Sequence, residues 1–175
     1  MVTQLAVNKP MPSASAATPA TVVLTGLGVP FTAHSYEHDP RAPSYGREAA
    51  DLLAPGLGIA AERVLKTLVA RVDERLVVAV VPVTGPLALK ALAVAAGGKR
   101  ARLAGPREAE RVTGYVVGGI SPLGQRRTLP TYVDASVLEH PTVLVSGGRR
   151  GLDVELAPEA LVRVTDAVTA PLSRP

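Results

Sequence analysis

Leu65–Val83, LKTLVARVDERLVVAVVPV, is two Val- and Leu-rich runs broken once by polar residues, at Asp73-Glu74. Two β-type runs parted by a short polar break predict a hairpin. Upstream, Ser44–Leu53 sets Arg47, Glu48 and Asp51 between alanines and leucines, the pattern of a short helix. VPFTAHSYE (Val29–Glu37) alternates apolar and polar positions as a half-buried strand does, and HDPRAP after it is a turn. TPATVVLTGLG (Thr18–Gly28) has a Thr-Pro helix start and a Gly-Leu-Gly stop. Downstream, Pro86–Ala96 is a predicted helix closed by Gly97-Gly98, ARLAG a short strand, and Pro106–Arg111 a further helix. LPTYVDAS, PTVLVSGG and LDVELAP are three short β-type runs, and Pro158–Ala167 is a last helix. Strands outnumber helices without strict alternation. The expected class is therefore α+β, a mixed, largely antiparallel sheet with helices packed around it.

Composition narrows the possibilities. A chain of 175 residues suits one domain with a substantial core. Apolar residues make up 47% but aromatic ones only 3%, so Val, Leu and Ala must build that core. There is no cysteine, which excludes disulfides, thiolate metal sites and a cysteine nucleophile. A formal charge of +4 is compatible with an RNA backbone as partner, and equally with an Arg-rich composition of no such meaning. No apolar run reaches the ~18 residues of a membrane span, and the N-terminus lacks the apolar core of a signal peptide. A cytoplasmic location is the default expectation. Residues 1–17, rich in Ala, Ser and Pro, are expected to be a disordered extension, with the folded domain over residues 18–170.

Three segments carry chemistry. In TGYVVGGISPLG (Thr113–Gly124), glycines, a serine and a proline interrupt an apolar run, so the bare backbone can approach a ligand and offer N–H groups to an oxygen. A tight structural turn reads equally well from the residues alone. VSGGRRGLD (Val145–Asp153) is a second glycine loop. In VLKTLVA (Val64–Ala70) a lone lysine, Lys66, sits among apolar neighbours; it either snorkels to the surface or occupies a pocket with an anionic partner. His34 and His38 have the four-residue spacing of helical metal ligands, but a strand followed by a turn separates them, and no metal is expected. GGISP is not a G-x-S-x-G elbow, and GGKR lacks the rest of a phosphate-binding loop.

In this order, VLKTL, TGYVVGGISPLGQ and VSGGRRGLD resemble the YbaK/EbsC-type aminoacyl-tRNA deacylases, relatives of the editing domain inserted in bacterial prolyl-tRNA synthetases. The resemblance implies hydrolysis of a mischarged aminoacyl-tRNA, foremost Cys-tRNA(Pro), without a cofactor and with prolyl-tRNA synthetase as a possible partner. It makes Lys66 and Gly118 the catalytic positions. It also implies substrate binding by Tyr36, Tyr45, Thr67, Gly119, Ile120, Ser121, Ser146 and Asp153. Gly118 and Gly119 would offer N–H groups to the ester, the two tyrosines would stack on the terminal adenine, and Asp153 would hold the substrate amino group or Lys66. Arg126, Arg127, Arg149 and Arg150 flank the glycine loops as prospective phosphate contacts. In that family the cysteinyl substrate's own thiol attacks its carbonyl, which fits a chain with no convincing nucleophile of its own. Other members remove alanine or serine, and a non-catalytic module binding a tRNA acceptor end or a synthetase is the alternative of a different class.

Overall fold

The computed structural model describes residues 17–174. The expectation for the N-terminal extension lies outside them, Ala17 excepted. The hairpin forms as read: β2 (Leu65–Val72) and β3 (Arg75–Pro82) pair antiparallel from Leu65 opposite Pro82 to Val72 opposite Arg75. Asp73 turns the chain at φ 51, and its carboxylate accepts the N–H groups of Lys99 and Arg100. That bond leads the chain into β4 (Ala101–Leu103), which pairs antiparallel with β2. On the other side, β5 (Thr131–Asp134) runs parallel to β3, and β8 (Val168–Ala170) parallel to β5. The order is β4-β2-β3-β5-β8.

The remaining strands form a second, antiparallel sheet rather than extending the first. Its order is β1 (Thr32–Ser35), β7 (Leu152–Leu156), β6 (Val143–Arg149). A parallel bridge between Val64 and Leu144 links the two sheets beside the start of β2.

Alternation then sorts the side chains. Leu65, Val69, Val78 and Val80 face one core with Val143, Val145, Val154 and Leu156 of the small sheet. Ala70, Val72, Val77, Ala79 and Val81 face a second core under helix α3 (Leu89–Ala95). β3 is buried on both faces, so its apolar run is continuous. Helix α1 (Pro19–Gly26), with a Thr18–Thr21 capping box, packs on the first core. Helices α4 (Pro106–Thr113) and α5 (Pro158–Thr165) also pack there, each with proline in its first turn. Helix α2 (Tyr45–Leu57), capped by Ser44, covers the other face of the small sheet through Ala49, Ala50 and Leu53 against Leu144.

Several boundaries differ from expectation. Helix α2 continues past Leu53 through Pro55 to Leu57. Helix α3 starts at Leu89, because Leu87 bridges to Ser173 and Ala88 donates to the Leu172 carbonyl. Helix α5 stops at Thr165, where Asp166 takes φ 50 and redirects the chain into β8, a strand with no separate signal in the sequence.

Candidate active site

A cleft of about 360 Å³ opens where α2, β2, α4 and both glycine segments meet. Lys66, Thr67, Gly118, Ile120, Ser146 and Asp153 line it, together with Tyr36 and Tyr45. The fold brings these together from β2, the loop after α4, β6, β7 and the two ends of the HDPRAP turn.

The floor is polar and under-satisfied. Lys66 has no ion-pair partner among the described residues, and burial alone lowers its pKa from the ordinary lysine range. The hydroxyl of Thr67 is buried without a hydrogen bond. Asp153 lies in the central strand of the small sheet, opposite both His34 and Ser146. It is 5% exposed, and desolvation pushes its carboxyl up to about 7. Tyr36 is raised to about 12, first by burial and then by the charge of Asp153, so its phenol keeps its proton near neutrality. Asp153 and Lys66 form no salt bridge, so the expectation that Asp153 holds Lys66 does not describe this state.

The glycine loop is a turn with one amide left over. Gly119 donates its N–H to the Val116 carbonyl at 2.9 Å, and Gly118 between them has φ +88, the positive value a type II turn demands at its third residue. A Cβ at Gly118 would lie 2.6 to 2.8 Å from ring atoms of Tyr45. The N–H of Gly118 makes no hydrogen bond among the described residues.

Two expected ligands are engaged elsewhere. The N–H of Gly119 is consumed within the turn, and a Cβ there would meet Arg149 Cα at 2.8 Å, so this glycine serves the close backbone approach of the two loops. Ser121 is fully buried, its hydroxyl accepting from the Leu123 N–H and its carbonyl from Gln125; it shapes the loop and stays off the cleft.

Tyr45 is also occupied. Its ring contacts Gly118, lies 5.5 Å from the His38 ring and carries the Arg150 guanidinium 4.9 Å above its centroid. His38 is held by Glu48 at 2.8 Å. Arg149 and Arg150 are exposed beside the cleft's glycine turn. Arg126 and Arg127 are exposed too, but their backbone amides bind the carbonyls of Thr113 and Val112 at the end of α4. The apolar wall from Leu103, Ala104, Pro106 and Ala109 had no signal in the sequence. Among the described residues, no group of three His, Cys, Asp or Glu side chains is placed to hold a metal.

Such a site has a cation, an amide donor unpaired among the described residues and a titratable carboxyl around a largely apolar cleft. It is suited to holding an ester and stabilising charge that develops on its oxygen. Comparison with known proteins agrees with that class. The aminoacyl-tRNA editing domain family matches residues 46–164. A protein of Enterococcus faecalis provisionally designated a Cys-tRNA(Pro)/Cys-tRNA(Cys) deacylase, EbsC, is 38% identical over 126 residues, 71% of this chain and 77% of that protein. A solved structure provisionally described as a trans-editing enzyme for prolyl-tRNA synthetase superposes with a TM-score of 0.74 at 25% identity, covering 95% of this chain and 99% of that one. A hypothetical protein of known structure gives 0.76 at 25% identity, covering 90% and 100%. The chain belongs to the aminoacyl-tRNA editing domain family, and its chemistry is that of an aminoacyl-tRNA deacylase.

Proposed function

We propose that this protein removes cysteine from mischarged tRNA(Pro) in trans, through an editing domain over residues 18–170. The observation that carries the reading is that one cleft is lined by a half-buried Lys66 without an ion-pair partner and by Gly118, whose N–H makes no hydrogen bond among the described residues. Lys66 supplies positive charge to the acceptor end and ester, and Gly118 donates to the carbonyl oxygen as it becomes an oxyanion. The Thr67 hydroxyl and Ser146 hydrogen-bond the substrate, Ile120 packs on it, and Asp153 takes the α-ammonium group. Tyr36, still a phenol near neutrality, offers its ring and hydroxyl to the terminal nucleoside.

The chemical step needs no nucleophile from the protein. The substrate's thiol sulfur bonds to its own carbonyl carbon, the bond to the ribose oxygen breaks, and the thiol proton passes to that oxygen. Water then opens the resulting thiolactone to free cysteine. The absence of cysteine from the chain is consistent with a thiol supplied by the substrate. Prolyl-tRNA synthetase is the partner this reading favours, since one solved relative is described as its trans-editing enzyme.

The test is hydrolysis of Cys-, Ala- and Ser-tRNA(Pro) side by side, with Lys66→Ala as control. Release of cysteine alone, lowered at least ~100-fold by Lys66→Ala in a folded protein, is expected. Preference for alanine or serine would replace the thiol step by attack of water or a ribose hydroxyl. Binding of tRNA without hydrolysis would make the chain a recognition module.

A further inference from the structure

We infer that Arg150 is a positioning residue for the oxyanion donor: it locks the central peptide of the Val116–Gly119 turn so that the Gly118 N–H stays available to the cleft. The inference rests on the deacylase reading above and adds a residue whose role there would otherwise be a phosphate contact.

Arg150 Nε donates to the Val117 carbonyl at 3.0 Å. That carbonyl and the Gly118 N–H are the two ends of one trans peptide group, and they point in opposite directions within its plane. A guanidinium gripping the oxygen therefore fixes where the N–H points. The grip matters because of the turn type. Type I and type II turns share the same end-to-end hydrogen bond, here Gly119 N–H to Val116 carbonyl, and differ by a flip of this central peptide. With glycine at the third position both forms are sterically open. Gly118 at φ +88 is in the type II form, the one in which Arg150 reaches the Val117 oxygen.

Two further contacts brace the same peptide. The Val117 N–H donates to Glu110 at 2.9 Å, holding the residue before it to α4. The Arg150 guanidinium also lies over the Tyr45 ring, whose atoms crowd Gly118. A cation bonded to a peptide oxygen polarises the N–H at the other end, so the same contact strengthens the donor it aims.

Two measurements on wild type, Arg150→Ala and Arg150→Lys test this. In the first, nuclear Overhauser effects report the peptide orientation without substrate: the type II form brings Val117 Hα close to the Gly118 amide proton, and the flipped form does not. Both variants are expected to weaken that cross-peak, since lysine keeps a charge but loses the Nε donor and its planar fork. In the second, deacylation by the variants is expected to fall about tenfold or more in kcat with KM within about twofold. A cross-peak and kcat unchanged in Arg150→Ala would overturn the inference. So would a raised KM with an unmoved cross-peak, which would return Arg150 to a phosphate contact. If wild type hydrolyses none of the tRNAs, the deacylase reading fails, while the cross-peak still decides whether Arg150 sets the peptide.

Discussion

Asp153 concentrates the conflict between function and stability in one side chain. Burial holds its carboxyl at about 7, well above the ordinary 3.8, so between those values the native state keeps a proton that the unfolded chain releases. Stability is therefore fully present at low pH and is lost as pH rises through that window. The loss is at most on the order of 4 kcal/mol. Asp153→Asn removes the ionisation, so its melting temperature should exceed that of wild type at pH 8 and converge with it near pH 4. The same variant should raise KM for aminoacyl-tRNA, because an amide cannot attract the substrate's ammonium group. A variant less stable than wild type at pH 8 would show that Asp153 is paired where the structure leaves it unpaired. Lys66 faces a milder tension with opposite charge: burial lowers its pKa, and among the described residues no carboxylate pairs with it.

At the scale of the element, two of the bonds that hold the loop between α4 and β5 have different consequences. Tyr115, 5% exposed, donates its hydroxyl to the Leu123 carbonyl at 2.6 Å and bridges the loop internally. Glu110 on α4 holds the Val117 N–H, one peptide before the free donor of Gly118. Tyr115→Phe leaves a buried carbonyl without its partner, and an unfolding curve should show a loss of about 1–2 kcal/mol. Glu110→Ala should leave the melting temperature nearly unchanged and lower kcat several-fold, since it frees the turn without opening the core. The reverse assignment of these two effects would mean that α4, rather than the Tyr115 bridge, carries the loop's stability. The first glycine segment was legible as a loop; the second, read as a loop, is a bulged hairpin whose Val145–Arg149 belong to β6, with only Arg150 and Gly151 turning the chain. The resemblance pointed to Gly118, but that the Gly119 N–H is spent was not legible, because the two glycines are distinguished only by a hydrogen bond across the turn and by the approach of Arg149.

Across the whole molecule, a positive chain meets a polyanion at one cleft whose exposed margin carries arginines. The rate constant kcat/KM should fall as salt rises from about 50 to 200 mM, through KM more than kcat, because phosphate contacts release counterions. Chelation should leave it unchanged; restoration by zinc after a loss would place a metal in the site. No helix of the described residues is long and apolar enough to cross a membrane. By itself the sequence determined the hairpin at Leu65–Val83, the Thr18 and Ser44 caps, the prolines that open α4 and α5, the turn before Ile120 and the family. These follow from alternation, capping and backbone sterics, which act over a few residues. Tertiary structure alone decided the division of the strands into two sheets, the pairing of β8, the burial of Ser121 and the spare amide of Gly118. It also decided that Lys66 from β2 and Asp153 from β7 share a cleft without pairing. The physical reason is that burial and desolvation arise from contacts between segments distant in sequence, so a residue's exposure, charge state and free donors are set only when those segments pack.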